Sequence, residues 1–175
     1  MANRTALREL QTRLASRLQA ARTEGVSVAW LAVSARGNNF LFPLGQSGEI
    51  FPVANLQPVP YVLPWFRGVL NIRGGLYGVV DLAAFVAAGD NAQVVATTAE
   101  TSVVTLNSAM EVNCALQVDS LLGLRGAEAF VSSSAAPVGA PTYFGNRFVD
   151  AAGVAWQEIN LRTLAQDPQF LTIRA

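Results

Sequence analysis

The chain of 175 residues contains no histidine and no lysine, and all twelve of its basic residues are arginine. Without histidine it cannot form a Ser-His or Cys-His nucleophile pair or bind a metal through imidazole. Without lysine it has no Walker-type phosphate loop, no Schiff base and no Ser-Lys dyad. Carboxylate chemistry of the two-carboxylate glycosidase type stays open, but the acidic residues are scattered singly along the chain. We therefore expect no catalytic residues, no cofactor and no enzymatic activity.

Other absences exclude further classes of protein. Cys114 is the one cysteine, so no disulfide and no cysteine-based zinc site can form within the chain, and we expect a small buried hydrophobic residue there. No uncharged apolar run reaches 18 residues, and no signal-peptide core lies between the N-terminal arginines. The net charge is zero, which does not favour nucleic acid. We expect a cytoplasmic protein with no metal, no nucleic-acid partner and no direct membrane insertion.

The first residues have the periodicity of a helix. Leucine and alanine recur on one narrow stripe of residues 4–23, at Leu7, Leu10, Leu14, Leu18 and Ala21. Asn3 is the predicted N-cap and Gly25 the predicted residue after the last turn. The stripe has no aromatic residue, which argues against membrane binding. Residues 1–25 are thus predicted to be a helical extension that packs either on the domain or on a partner helix, and residues 26–175 to be the domain.

The domain is half apolar and is punctuated by turn residues, which predicts many short strands in a β barrel or sandwich. Its clearest hairpin covers residues 68–82, with an Arg73-Gly74-Gly75 corner. The other predicted strands are 28–33, 40–44, 93–96, 102–106, 113–118, 143–149 and 154–156. The first two are predicted to be joined by a turn at Arg36-Gly37-Asn38-Asn39. Prolines predict an extended surface path for residues 51–65, and residues 131–142 are predicted to be a loop. Short helices are predicted at 82–88, stopped by Gly89-Asp90-Asn91, and from the Asn160 cap to 165.

Five motifs stand in one order along this domain. They are Gly48-Glu49-Ile50, Pro58-Val-Pro60, Gly68-Val-Leu-Asn-Ile-Arg-Gly74, Val79-Val-Asp-Leu82 and Ala115-Leu-Gln-Val-Asp-Ser-Leu121. Together they resemble the CheW-like domains, the adaptors that couple chemoreceptors to a histidine kinase. The closest likeness is to the PilI-type adaptors of type IV pilus chemosensory systems, which carry an N-terminal helical extension and a phrase similar to Pro43-Leu-Gly-Gln-Ser-Gly-Glu-Ile50. The resemblance implies a mostly β fold of two intertwined five-stranded SH3-like barrels with a hydrophobic core between them.

The chain departs from the family pattern at three places. Gly78 stands where the family has proline, Ser47 replaces valine, and Asn113-Cys114-Ala115 replaces a glycine entry to a strand. The first two positions lie near surfaces that such adaptors use to contact receptors. These departures put details of receptor contact in doubt, and leave the predicted fold unchanged.

The resemblance also implies candidate residues for receptor or kinase interaction, namely Glu49, Gly68, Asn71, Arg73 and Gly74. The matching acid and arginine of the family lie close together, so Glu49 and Arg73 are expected to form a two-pronged ion pair. Such a pair either holds the hairpin in place or contacts the receptor, and both roles are compatible. Gly68 and Gly74 are interpreted as backbone requirements.

Other conspicuous side chains are expected to have structural roles. Asp81 and Asp119 are interpreted as turn or cap residues. Trp65 and Phe66 are either a core plug or an exposed anchor for a partner.

The function implied by the resemblance is a non-catalytic scaffold of chemotaxis signal transduction. It would bridge the cytoplasmic tip of a methyl-accepting chemoreceptor to the regulatory domain of a CheA-like histidine kinase, in a two-component pathway for type IV pilus twitching motility. The alternative is a small β-barrel interaction module that recruits an unrelated partner through its N-terminal helix.

Overall fold

The computed structural model describes residues 2–24, 28–88 and 101–175, with side chains for 8–19, 30–88 and 101–175. The helices are α1 (Ala2–Glu24), α2 (Leu82–Ala87), α3 (Leu161–Leu164) and α4 (Pro168–Leu171). The strands are β1 (Val28–Ala35), β2 (Asn38–Pro43), β3 (Ser47–Pro52), β4 (Phe66–Ile72), β5 (Gly75–Asp81), β6 (Ser102–Leu106), β7 (Cys114–Val118), β8 (Ser120–Gly126), β9 (Phe130–Ser134), β10 (Phe144–Asp150) and β11 (Ala155–Ile159).

These strands form two sheets. The first has six strands in the order β8-β1-β2-β11-β10-β9, and the second has five in the order β3-β6-β7-β5-β4. Each sheet contains one parallel pair, β2 with β11 and β5 with β7, among antiparallel neighbours. The chain that leaves β3 returns to the far edge of its sheet, where Gln57 and Val69 exchange two backbone hydrogen bonds. The five-stranded sheet therefore curls back on itself as a barrel does.

The buried side chains form three clusters, which explains why the strands are apolar on both faces. A large cluster draws residues from both sheets, whereas two smaller ones lie within single sheets. Leu31 and Val33 of β1 enter the shared cluster, and Ala32 between them enters the cluster of the six-stranded sheet. Because successive strand residues point to opposite faces, each of these strands covers its own barrel and the shared core. The predicted mostly β, double-barrel class is confirmed, with six strands in one sheet instead of five.

Helix α1 packs on the domain and contacts both sheets. It lies against β3, β8 and the helical turn Leu44–Gln46, and Leu14 and Leu18 are buried in the shared core. Gln11 Nε2 also donates to Ser102 Oγ at 2.7 Å. Leu10 of the same predicted stripe is 49% exposed, so the domain covers only part of the stripe. No described helix combines the length and apolar character that spanning a bilayer would need.

Most of the predicted elements that fall on the described residues are confirmed. The 68–82 hairpin and the Asn160 cap of α3 are present. The prediction of a loop at 131–142 is wrong for its first residues, which belong to the exposed strand β9. Strands β3 and β8 and helix α4 were not predicted. Helix α1 begins at Ala2, so Asn3 lies inside the helix and is not its N-cap. The predicted strand 93–96, the turn 89–91, Gly25 and the domain boundary at 25/26 lie outside the described residues.

Candidate partner-binding site

The β4–β5 hairpin places Arg73 at its tip through a two-residue turn. Arg73 and Gly74 have φ angles of 50° and 83°, and Ile72 pairs with Gly75 across the turn. Positive φ at both central positions is the geometry of a type I′ turn, whose twist matches that of the flanking strands. Asn71 Oδ1 accepts a hydrogen bond of 3.0 Å from Gly74 N. The candidate residues Asn71, Arg73 and Gly74 thus form one exposed, ordered corner.

Glu49 comes to this corner from β3. The pairing of β3 with β6 is irregular between Ser47 and Ile50, which marks a bulge at Glu49. Glu49 N donates to Thr105 Oγ1 at 2.7 Å, and a Cβ on Gly48 would collide with Thr105. The glycine of the Gly48-Glu49-Ile50 motif therefore lets β3 approach β6 closely, while the bulge directs the Glu49 carboxylate to solvent.

Glu49 and Arg73 form the predicted ion pair, with a different geometry. Arg73 Nη1 lies 3.0 Å from Glu49 Oε1 and 2.9 Å from Oε2, so one nitrogen faces both oxygens. The prediction of a two-pronged pairing is therefore wrong. The guanidinium carbon lies 5.6 Å from the centroid of the Phe51 ring, within the range of a cation–π contact. The side chains of Arg73 and Glu49 are 71% and 49% exposed, so the pair is open to a partner.

A cleft of about 230 Å³ separates the pair from helix α1. Its lining combines residues of α1, of β3 and of the hairpin tip: Ala15, Leu18, Gln19, Gly48, Glu49, Ile50, Phe51 and Arg73. Ala15 and Phe51 contribute its apolar surface, Leu18 and Ile50 lie buried beneath them, and the charged groups of Glu49 and Arg73 stand at the rim. Such a combination is typical of a recess that takes a side chain of a binding partner.

Gly68 stands apart from the other candidates. It is buried, its φ is 132°, and a Cβ there would collide with the carbonyl oxygen of Gln57. The close approach and the positive φ that the sequence predicted are both present. Gly68 thus lets the chain after β3 pair with β4, and it presents no side chain to a partner.

A second arginine lies at the predicted turn of residues 36–39, which is confirmed, but its ion pair was not predicted. Arg36 and Gly37 connect β1 and β2 with φ angles of 49° and 77°, the same pattern as Arg73 and Gly74. Arg36 Nη2 lies 2.7 Å from Asp81 Oδ2, and Arg36 N donates to Asp119 Oδ2 at 2.6 Å. The turn was predicted from its own residues, whereas the pairing of Arg36 with Asp81 joins positions 45 apart and has no local signal.

The other side chains that the sequence singled out have structural roles. Asp81 Oδ1 accepts from Ala84 N and caps α2, and Asp119 binds the Arg36 turn, so their predicted turn and cap roles are confirmed. Trp65 is a core plug, buried with its ring centroid 4.9 Å from that of Phe85. Cys114 is 5% exposed, which confirms that it is buried, and burial raises the pKa of its thiol to about 12.

The departures from the family pattern also have local explanations. The Phe66 ring packs so closely over Gly78 that a Cβ there would lie 2.9 Å from Phe66 Cε2. Gly78 N donates to Asn113 O at 3.0 Å, a bond that proline could not make. Ser47 is fully buried and donates to Pro43 O at 3.0 Å, so it cannot contact a receptor directly.

The fold and the exposed corner define a double-barrel β domain with a surface suited to binding another protein. A sequence model of the CheW-like domain matches residues 29–141, and the chain belongs to the CheW-like domain family. Proteins of this family are non-catalytic scaffold proteins.

Two known proteins show the extent of this similarity. A stretch of 59 residues is 34% identical to Protein PilI of Pseudomonas aeruginosa and covers 33% of this chain and 33% of PilI. The match therefore spans about a third of PilI's length. The crystal structure of the scaffolding protein TtCheW from Thermoanaerobacter tengcongensis aligns with a TM-score of 0.56 at 11% identity, over 77% of this chain and 89% of that one. At this identity the second likeness shows the fold alone.

Proposed function

We propose that this protein couples the cytoplasmic tip of a methyl-accepting chemoreceptor to the regulatory domain of a CheA-like histidine kinase. The receptor would contact the corner that carries Glu49 and Arg73, and the kinase would bind another surface of the double barrel. The local identity to PilI supports a pathway that controls type IV pili and twitching motility. The cytoplasm is the compartment in which receptor tips and such kinases meet, so we place the protein there.

The observation that carries this proposal is the exposed but well-positioned Glu49–Arg73 pair. An exposed ion pair adds at most about 1 kcal/mol to stability, so folding alone gives little reason for its ordering. Yet the Asn71 bond, the Thr105 bond and the Phe51 ring hold the two charges in place. A partner that covered the pair would exclude water and strengthen the interaction of these charges with its own polar groups.

The test is to compare both affinities for Arg73→Ala. We expect the affinity for a purified receptor cytoplasmic fragment to fall about tenfold, a loss of about 1.4 kcal/mol, with kinase-domain affinity unchanged. Arg147→Ala is the matched control, because Arg147 is an exposed arginine on β10 of the other sheet. Equal loss for both partners, or no loss for the receptor fragment, would contradict the proposed division of surfaces.

Twitching motility in living cells is a second measurement. Deletion of the gene is expected to abolish twitching, and the wild-type gene should restore it better than the Arg73→Ala variant. Normal twitching in the deletion strain would contradict the proposal that the protein acts in this pathway. The alternative, recruitment of an unrelated partner through α1, has less support, because Leu14 and Leu18 are already buried in the domain.

A further inference from the structure

Helix α1 is an addition to the family domain that lies next to the proposed receptor surface. The family match begins at residue 29, after the end of α1. Even so, Ala15, Leu18 and Gln19 of α1 line the same cleft as Glu49 and Arg73. The extension therefore supplies one wall of a recess whose other wall is built from family motifs.

The chemistry of the cleft indicates what can enter it. At about 230 Å³ it is smaller than the roughly 300–1,000 Å³ of typical small-molecule sites. The half-buried Ala15 and Phe51 offer apolar surface, whereas Leu18 and Ile50 are only 3% and 9% exposed, and Arg73 and Glu49 stand at the rim. One apolar side chain of another protein suits the surface between Ala15 of α1 and Phe51 of β3, and polar neighbours of that side chain suit the rim.

Charge favours an acidic partner on the α1 side. Arg8, Ala15 and Gln19 are spaced at i, i+7 and i+11, which places them on one side of the helix. Arg8 is exposed, and described residues 8–19 carry three arginines against one glutamate. A partner helix lying along this side would therefore gain from carboxylates that face Arg8 and the exposed guanidinium of Arg73.

We propose that α1 is a specificity-determining wall of the receptor-docking surface. A helix of the receptor's cytoplasmic hairpin inserts one apolar side chain between α1 and β3, beside the Glu49–Arg73 pair, and its acidic residues face Arg8. This inference rests on the proposed function and names which receptors that surface selects. Receptors with an acidic helix next to an apolar anchor bind, and those with a basic helix there do not.

The first experiment fills the cleft from the α1 side. Ala15→Phe adds a ring to a half-buried cleft position, and Ser16→Phe adds the same ring one residue further on, at an exposed position outside the cleft lining. We expect Ala15→Phe to weaken binding of the receptor cytoplasmic fragment at least about tenfold. Ser16→Phe should change it less than about twofold, with both kinase-domain affinities normal. Unchanged or tighter receptor binding by Ala15→Phe would overturn the proposal.

The second experiment reverses charge at two arginines of the same helix. Arg8→Glu should weaken binding of the fragment several-fold more than Arg17→Glu, which changes the net charge equally but lies away from Ala15 and Gln19. The difference should shrink as salt is raised from 50 to 500 mM, values chosen to bring the Debye length from roughly 14 Å to about 4 Å. Equal effects of the two reversals would indicate only long-range attraction and would contradict a docked acidic helix.

The proposed function and the proposed role of α1 are contradicted by different results. If Arg73→Ala weakens receptor binding and the Ala15 and Arg8 variants do not, the proposed function stands and the role of α1 is wrong. If the wild-type protein does not bind receptor fragments at all, the proposed function fails and this inference fails with it.

Discussion

Arg36 Nη2 lies 2.7 Å from Asp81 Oδ2 and connects the tip of the β1–β2 hairpin to the junction of β5 and α2. The hairpin belongs to the six-stranded sheet and β5 to the five-stranded one, so the pair joins the two sheets. The side chains are only 20% and 9% exposed, in contrast to the open pair of Glu49 and Arg73. Two Arg-Gly turns of the same backbone form thus have different surroundings, one internal and one facing solvent.

Loss of the internal arginine is expected to destabilise the fold. Arg36→Ala leaves Asp81 largely buried without its charged partner, and hydrogen bonds to charged groups contribute about 1.5–3 kcal/mol. We expect a loss of unfolding free energy in this range by urea denaturation. Arg73→Ala, at the exposed pair, should cost no more than about 1 kcal/mol. Equal costs for the two substitutions would contradict the assignment of an internal and an external pair.

Asp81 itself provides a finer control for this prediction. Asp81→Asn keeps an oxygen for the Ala84 N–H of α2 but removes the charge, whereas Asp81→Ala also removes the cap. The alanine variant should therefore be less stable than the asparagine variant by about 1 kcal/mol, the usual value of an N-cap.

The helix caps and the Arg73-Gly74 turn were predicted from local patterns in the sequence. Asn160 and Asp81 precede short helices and cap them, and the Arg73-Gly74 dipeptide lies between two apolar runs, so each was identified from its neighbours in the chain. The resemblance to the family brought Glu49 and Arg73 together across 24 positions. Periodicity alone could not have done so.

The parts that were missed depend on distant contacts or on weak patterns. Arg36 and Asp81 are 45 positions apart, and their pairing follows from the packing of two sheets. Strand β9 is Phe130 followed by four exposed residues, three of them serine, so its sequence is typical of a loop. The stripe of α1 placed Leu10 with Leu14 and Leu18, but the domain surface covers only the latter two among the described leucines of the helix.

Gly68 and Gly74 require glycine for different reasons: both have a positive φ, but only Gly68 is also closely packed. Gly68 has a φ of 132° and no room for a Cβ beside Gln57, whereas Gly74 has a φ of 83° and open space around it. Gly74→Ala should cost only the strain of a left-handed residue, about 1–2 kcal/mol. Gly68→Ala should cost at least about 3 kcal/mol, because steric overlap adds to backbone strain. Circular dichroism melts of both variants measure the difference, and similar melting temperatures would contradict the close approach of Gln57.

Helix α1 is expected to contribute to stability as well as to binding. Leu18→Ala should cost about 2–5 kcal/mol, as buried leucines do, and Leu14→Ala should behave similarly. Leu10→Ala, at the 49% exposed position, should stay within about 0.5 kcal/mol of the wild-type protein. Deletion of residues 1–24 should leave a folded β domain that unfolds at lower urea concentration. Loss of a cooperative transition would show that the helix is required for the core to form.

The thiol of Cys114 gives a test of the core that needs no partner. Burial in β7 raises its pKa from 9.0 to about 12, so the folded chain keeps the thiol proton at pH values where the unfolded chain loses it. Stability should therefore fall as pH rises above 9, since the unfolded state then binds fewer protons than the folded state.

At pH 9.5 the expected loss relative to pH 7.5 is about 1 kcal/mol, and Cys114→Ala should not show it. The comparison stops below pH 10, because burial also raises the pKa of Tyr143, from 10.0 to about 12, and tyrosine adds a loss of the same sign at higher pH. A thiol reagent at pH 8 should modify the single cysteine only after unfolding in urea. Rapid modification of the folded protein, or an equal pH dependence in Cys114→Ala, would mean that water reaches the strand between β5 and β6 and that the shared core is open there.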